Sequence, residues 1–559
     1  MYYDWNMVAN KAKIARLLMW LGPLVSLAVS PSTNLDPINL IKILILSTFA
    51  FGILGLFTKR DFRYLIENKL IMSSLIFFIL ALLFPVFLSG APLDQQLWGT
   101  WGRNTGLLTY LSLLFICVSA LLVQNFSAYK SISDSLILCG IPMSGYCLIQ
   151  IAKLDPVSWS LHQTFGTLGN INFLSAFLGL VIVAQFCVLI DSSRKNSLRI
   201  FFGIKIIIDL LIIISTNSIQ GILIAAAGVG VTILILFKKV NQFEKLFLPF
   251  LLISIGTFIL TLMGLFNRGV LAKFIYQPSV LYRADYMHAG LEMTLKRPLF
   301  GVGLDSYGDW YRSVRGQIST LRTGPDRISN SAHNIFLDIS SGGGFTLLAA
   351  YLLILLIALI SAIKFIKKSQ KLDYVFVSVF SCWIAYVIQA LVSINQVGVG
   401  IWGWLFTGVI IGYPLTSGAD KVAHKNNKVR KSIAKTIVSP GTGIRAFILS
   451  LVGFSLAFIP FTADSKFRGA MNSRNIQNIV RSLNSPGISA FHLENALQTF
   501  IQNNAVKESS DIAHKLVSKY PMDFYGWKMI ALLNSTPESE KQSAIKKLKE
   551  LDPYNPDIG

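Results

Sequence analysis

The stretch Ser331-Ala-His-Asn-Ile-Phe-Leu-Asp338 leads through Ile339-Ser-Ser-Gly342-Gly-Gly344 into an almost unbroken apolar run from Phe345 to Ile363. Residues 334–363 are long and apolar enough for a membrane-spanning helix. The polar side of this boundary is a long loop containing Leu281-Tyr-Arg-Ala-Asp-Tyr-Met-His-Ala-Gly290 and Lys296-Arg-Pro-Leu-Phe-Gly-Val-Gly-Leu-Asp-Ser-Tyr-Gly-Asp-Trp-Tyr-Arg-Ser-Val-Arg-Gly316. A polar loop of this length between apolar segments is uncommon without a functional role. It carries Arg283, Arg297, Arg312, Arg315, Arg322 and Arg327 and ends on His333, where the apolar run begins. The candidate site is therefore this loop, residues 266–333.

The rest of the chain has the composition of a membrane protein. Of 559 residues, 53% are hydrophobic and 14% charged, and the mean hydropathy is +0.57. Apolar runs recur at about 14–30, 38–57, 70–89, 105–124, 132–152, 171–190, 199–216, 219–237, 246–265, 334–363, 374–394, 398–416 and 443–462. The expected fold is all-α and polytopic, with about thirteen spans. A net charge of +22 would point to nucleic acid in a soluble protein. Here it reads as Lys and Arg at the cytoplasmic ends of spans, and no nucleic-acid partner is expected. The run at 14–30 follows Lys11, Lys13 and Arg16 like a signal peptide, but further spans follow at once, so it reads as an uncleaved first span. Cys117, Cys139, Cys147, Cys187 and Cys382 lie in or beside apolar runs without metal-ligand spacing, which predicts neither a disulfide framework nor a zinc site.

Basic clusters set the orientation. They are Lys59–Lys69, Arg194–Arg199, Lys238–Lys245, Lys364–Lys371 and Lys421–Lys435, and all fall on one side if the spans are counted as above. That side is the cytoplasm, which puts the amino terminus inside and the carboxyl-terminal tail outside. The Arg-rich loop is then the exception on the outer face, and basic residues kept where topology does not need them point to an anion. The plainer alternative pairs these residues with Asp285, Glu292, Asp305, Asp309 and Asp326. From Asp464 the apolar runs give way to amphipathic patterning, and Pro521 and Pro553 lie close to one tetratricopeptide period apart. The expected domains are a membrane unit over 1–463 and an external, helical-repeat-like unit over 464–559.

Several Arg side chains, each a planar charged fork, suit a diphosphate and stabilise it as it leaves. His333 is either a base for an attacking hydroxyl or a cap on the helix starting at Asn334. Asp305 and Asp309 are too few for a convincing metal site, and no metal or cofactor is expected. Within the apolar runs, Lys205 and Asp209 read as an i,i+4 pair. Trp98 and Trp101 in the loop before Arg103 read as interfacial anchors.

Arg283-Ala-Asp-Tyr-Met-His-Ala-Gly290, Pro298-Leu-Phe-Gly-Val-Gly-Leu-Asp305, Tyr311-Arg312 with Arg315, and His333-Asn334 followed by Gly343 resemble the O-antigen ligase and polymerase superfamily. The outer loop Thr164-Phe-Gly-Thr-Leu-Gly-Asn-Ile-Asn-Phe173 is also similar to one in that family. The resemblance implies a multi-span glycosyltransferase that moves a glycan from undecaprenyl diphosphate to a glycan, lipid or protein acceptor without a metal. It implies His333 as catalytic, Arg283, Arg312 and Arg315 as donor ligands, and Asp305 and Asn334 in support. The family's Ser-x-Arg-Gly setting is replaced here by Asn217-Ser-Ile-Gln220-Gly221, and Arg103 is the candidate substitute for the missing Arg. The alternative from another class is a transporter for a lipid-linked glycan, which would show two inverted halves; no such internal symmetry is visible.

Overall fold

The computed structural model describes residues 5–159, 163–416 and 440–558, and among them it is all-helical. The first eleven helices are Trp5–Leu27 (α1), Asn39–Gly55 (α2), Lys59–Glu67 (α3), Lys69–Leu88 (α4), Leu93–Trp98 (α5), Leu107–Val123 (α6), Phe126–Ile151 (α7), Ile171–Ile190 (α8), Asn196–Ser215 (α9), Ile219–Lys239 (α10) and Glu244–Leu265 (α11). The long loop holds Ala272–Ile275 (α12), Pro278–Lys296 (α13), Tyr307–Val314 (α14) and Gln317–Thr323 (α15). Then come Ile335–Lys368 (α16), Tyr374–Ala390 (α17), Val397–Gly412 (α18) and Pro440–Asn472 (α19). The tail adds Ile476–Ser482 (α20), Ala490–Gln502 (α21), Val506–Lys519 (α22), Phe524–Leu532 (α23) and Glu538–Leu551 (α24).

Each of the thirteen apolar runs falls on one helix. Eight of the described helices are long and apolar enough to cross a membrane, or nine if α2 and α3 count as one bent span. The chain is an all-α, polytopic membrane protein. Helices are the structure such runs must take, because the bilayer core offers no water to satisfy backbone N–H and C=O groups. Starts are fixed by Asn68, Asn125, Asn170 and Asn334, each accepting backbone N–H groups of the first turn.

The loops expected on one side gather at one end of the bundle. Lys239 Nζ donates to the Ser369 carbonyl at 2.7 Å, and Arg445 donates to the carbonyls of Gly55 and Phe57. At this end α3 turns 92° from α2. The cluster Lys421–Lys435 lies outside the described residues. α19 packs along α2, and a Cβ on Gly453 would lie 2.3 Å from the Ser47 carbonyl oxygen, so only glycine permits that approach. α19 also runs without a break through the expected boundary at 463/464 and continues to Asn472.

Inside the bundle the charges are satisfied locally. Lys205 pairs with Asp209, whose carboxylate also accepts from Ser144 and Gln185. Lys42, not singled out in the sequence, donates to the carbonyls of Val25, Ser26 and Ala28 at 2.8–3.0 Å. It thereby closes the carboxyl end of α1, where a cation is favoured.

Candidate active site

α13 begins with Pro278 in its first turn and ends at Lys296, with Arg297, the residue before Pro298, as its C-cap, as proline chemistry dictates. It packs on α14, whose Tyr307, Tyr311 and Val314 form its buried face, and these three join Ala289, Met293, Val302 and Ala332 in a small separate core. The loop is thus a folded unit.

The segment Pro298–Asp305 reaches the membrane helices through glycines. α16 is broken at Gly344, which has φ 70° and ψ −176°, a conformation open essentially to glycine alone. Across the break, the N–H groups of Val302 and Gly303 donate to the carbonyls of Ser341 and Gly342 at 2.8 and 3.1 Å, and Phe345 N–H donates to the Pro298 carbonyl at 2.7 Å. A Cβ on Gly301 would lie 2.4 Å from the Gly342 carbonyl carbon. Backbone therefore packs on backbone, and the short first part of α16 is aimed at the loop.

That first part is where charge collects. Asn334 caps it by accepting from the N–H groups of Phe336 and Leu337, and its Nδ2 donates to the Leu391 carbonyl at 3.0 Å. His333 is therefore free of the capping role. It has φ 53°, its N–H donates to Ser331 Oγ at 3.0 Å, and its ring stacks on Tyr286 with centroids 5.4 Å apart. Tyr286 is held by α14, since Tyr307 Oη donates to its carbonyl at 2.6 Å. Burial, then the nearby charges of Arg283 and Arg103, push the His333 imidazolium down to about 4, so the ring is neutral at physiological pH.

Two arginines flank it in opposite electrostatic states. Arg103 is buried, with Nε 3.4 Å from Asp305 Oδ1 and Nη2 3.5 Å from Asp338 Oδ2, and it donates to the Asn330 carbonyl. Burial works against its charge, but the two carboxylates outweigh it and its pKa rises. Asp305 has φ 54° and also accepts from the N–H groups of Thr100 and Thr105 at 2.8 and 3.1 Å, fixing the 99–105 loop. Arg283 is half-buried, and among the described residues its side chain's one hydrogen bond is to the Val392 carbonyl at 3.1 Å. It has no carboxylate partner among the described residues, and burial lowers its pKa.

The other expected donor ligands lie elsewhere. Arg315 grips Asp552 through Nε at 3.1 Å and Nη2 at 2.6 Å, and Arg312 adds Nη1 at 2.9 Å. These two arginines dock the tail and do not converge on His333. Arg322 pairs with Asp285 at 2.8 Å, Arg327 lies over the Tyr282 ring at 5.1 Å, and Arg297 lies over Trp310 at 5.4 Å. Gln220, at the position of the missing family Arg, is buried with neither amide atom hydrogen-bonded. Among the described residues, no three of His, Cys, Asp or Glu converge as a metal site would require.

Two positions read otherwise in the sequence. Trp101 has a packing role beyond the expected anchor: it lies flat on Phe491, with centroids 3.5 Å apart, and its Nε1 donates to Asp464 at 2.8 Å. Asp464, missed in the sequence, also accepts from the N–H of Leu35 at 2.6 Å and contacts His492 Nε2 at 3.0 Å. It ties α19, α21 and the outer loops together. Its position at the end of an apolar run was the one available signal.

Fold and site together define a class: a multi-pass, all-helical membrane protein with a polar site built on one long loop and the break in the following helix. The O-antigen ligase family (Wzy_C) matches residues 172–352, from α8 through the loop to the middle of α16. Over that third of its length the chain is similar to the O-antigen ligase family. No curated protein matches the chain.

Proposed function

We propose that the chain is a bacterial membrane glycosyltransferase that moves a glycan from undecaprenyl diphosphate to an acceptor hydroxyl on the outer face of the cytoplasmic membrane. The observation that carries this reading is Arg283, a half-buried guanidinium with no carboxylate partner among the described residues, beside a neutral imidazole. A buried cation without a counter-ion is costly, and a diphosphate supplies the counter-ion. Arg283 binds the phosphate oxygens with its fork. His333 accepts the acceptor's hydroxyl proton as that oxygen bonds to the anomeric carbon. The bond from that carbon to the diphosphate oxygen breaks, and the negative charge gained by the departing lipid diphosphate is stabilised by Arg283. Arg103, neutralised by Asp305 and Asp338, positions the 99–105 loop and the segment before His333.

The basic clusters support a cytoplasmic amino terminus and an external tail, which fusion reporters placed after Asp464 test directly. The chemical test uses Arg283→Ala and His333→Ala in nanodiscs, with donor affinity and single-turnover rate measured separately. Arg283→Ala weakens donor binding and slows transfer. His333→Ala leaves donor affinity intact and lowers the rate by about 10²–10⁴-fold. A His333→Ala protein with unchanged turnover refutes the base assignment.

A further inference from the structure

A cleft of about 540 Å³ opens between the 94–104 loop, the 308–330 segment and the tail. The chemistry at Arg283 and His333 does not use it. Its lining is of two kinds. One is aromatic: Trp98, Trp101 with Phe491 stacked on it, and Phe524. The other is polar, with Asp94, Asp326, Arg312 and Lys528 beside a carboxyl cluster. Asp309, Glu494 and Asp523 crowd together in the wall. Burial first, then Asp523 and Asp309, pushes Glu494 up to about 9, and burial first, then Asp523 and Asp305, pushes Asp309 up to about 7. Near neutral pH Glu494 holds its proton and Asp309 is about half protonated, so the cluster both donates and accepts hydrogen bonds. Asn104 is 3% exposed, lines the cleft, and has an Oδ1 with no hydrogen-bond partner. Arg312, also in the wall, is taken by Asp552 and the Phe524 ring. At the inner end lies Asn330, whose carbonyl accepts from Arg103 and which precedes His333 by three residues.

Flat aromatic faces beside groups that donate and accept are what a sugar ring needs, since it offers C–H faces and a rim of hydroxyls. Asp94 is paired with Lys519 and Arg312 with Asp552, so anionic sugars are disfavoured by Asp326 and the part-ionised carboxyl cluster, which outnumber Lys528 in the lining. We infer that this cleft binds an uncharged, hydroxyl-rich segment of one of the reaction's glycan substrates, with Trp101 and Phe491 as the stacking platform and Asn104 as a polar contact. The inference rests on the glycosyltransferase reading and adds the substrate class.

The test uses full-length protein in nanodiscs. Neutral heptasaccharides of glucose, mannose and N-acetylglucosamine are titrated calorimetrically and by tryptophan fluorescence, beside an oligogalacturonate of the same length. At least one neutral probe binds, and the anionic one binds at least about tenfold more weakly. Phe491→Ala weakens the neutral probe by up to about tenfold, as loss of one aromatic partner does. Asn104→Gly, which keeps the left-handed backbone at φ 57° while removing the amide, also weakens it and controls for any unseating of Trp101. In transfer assays the same variants raise the acceptor KM if the acceptor glycan lies in the cleft, and the donor KM if the donor's sugars do. Failure of every neutral probe to bind, equal binding by wild type and both variants, or unchanged values of both KM overturns the inference. Probe binding is also measured on His333→Ala protein. Binding retained while His333→Ala fails to slow transfer refutes the catalytic reading alone, and binding absent while His333→Ala abolishes transfer refutes the cleft alone.

Discussion

Removing the Asp552 carboxylate separates the docking role of Arg312 and Arg315 from a donor-binding role. Arg315 is 2% exposed and Asp552 1%, so the pair is desolvated, and a third charge-assisted contact comes from Arg312 at 2.9 Å. Arg315 also donates to the carbonyls of Pro325 and Arg327 at 2.9 and 3.1 Å, so the same guanidinium holds the loop leading to His333. Asp552→Ala leaves a buried guanidinium uncompensated, a loss of about 3–5 kcal/mol. Opening of α24 away from the loop then becomes about a hundredfold to several thousandfold more frequent. Hydrogen exchange on full-length protein in nanodiscs reads this as faster exchange of α24 amides. Asp552→Asn, which keeps the volume and part of the hydrogen bonding, falls between. The double variant Arg315→Met with Asp552→Leu recovers much of the loss, because an apolar pair of similar volume removes the desolvation cost together with the attraction. Arg315→Met loosens α24 and leaves donor affinity unchanged. The reasoning is refuted if Asp552→Ala leaves α24 exchange at the wild-type rate, or if Arg315→Met weakens donor binding without affecting exchange.

Arg283→Gln removes a cation from beside His333, so protonating the ring becomes easier and its pKa rises from about 4. Burial, the larger cause, remains, so the value stays below 6.5; a ¹⁵N-histidine titration checks this, and an unchanged or lower value contradicts it. Gly344→Ala forces a side chain into φ 70° with its Cβ 2.4 Å from the Leu299 carbonyl. It should lower thermal stability well beyond Gly102→Ala, which has φ 79° and open space around it and loses only about 1–3 kcal/mol of backbone strain; equal losses would count against the packing described for α16. Transfer activity is expected to persist in excess chelator, and activity lost there and restored by magnesium or manganese would direct attention to Asp305 and Asp309.

The helices were legible because lipid imposes one local solution: an apolar run of sufficient length becomes a helix, whatever surrounds it. The Lys205–Asp209 pair was legible for the same reason, since both partners lie one turn apart. The arginines were not, because a guanidinium's role depends on which carboxylate reaches it, and that partner can be anywhere in the chain. Arg315 and Asp552 are 237 residues apart, and Arg103 finds Asp305 and Asp338 more than 200 residues away. Arg103 does lie against the large loop, but the sequence gave no warning that two buried carboxylates would meet its charge. The choice between cap and free base at His333 was equally beyond spacing. The capping half of that choice is answered by Asn334, whose side chain takes the first-turn N–H groups and leaves the imidazole against Tyr286; the base role belongs to the proposed function.

What remains after this sorting couples binding to chemistry. Arg103, Arg312, Arg315 and Arg322 all have carboxylate partners, whereas Arg283 has, among the described residues, a carbonyl alone. The uncompensated charge of Arg283 has two effects. It leaves the site short of an anion, and it helps hold the His333 ring at about 4, where it is a poor base for an acceptor at neutral pH. A diphosphate bound to Arg283 answers both at once, because its negative charge offsets the guanidinium and favours the protonated ring. In the proposed mechanism His333 is therefore a stronger base in the donor complex than in the free protein. A base that strengthens only when the leaving group is present favours the acceptor hydroxyl at the moment when transfer is possible, and the half-buried, unpaired Arg283 is the feature from which that order follows.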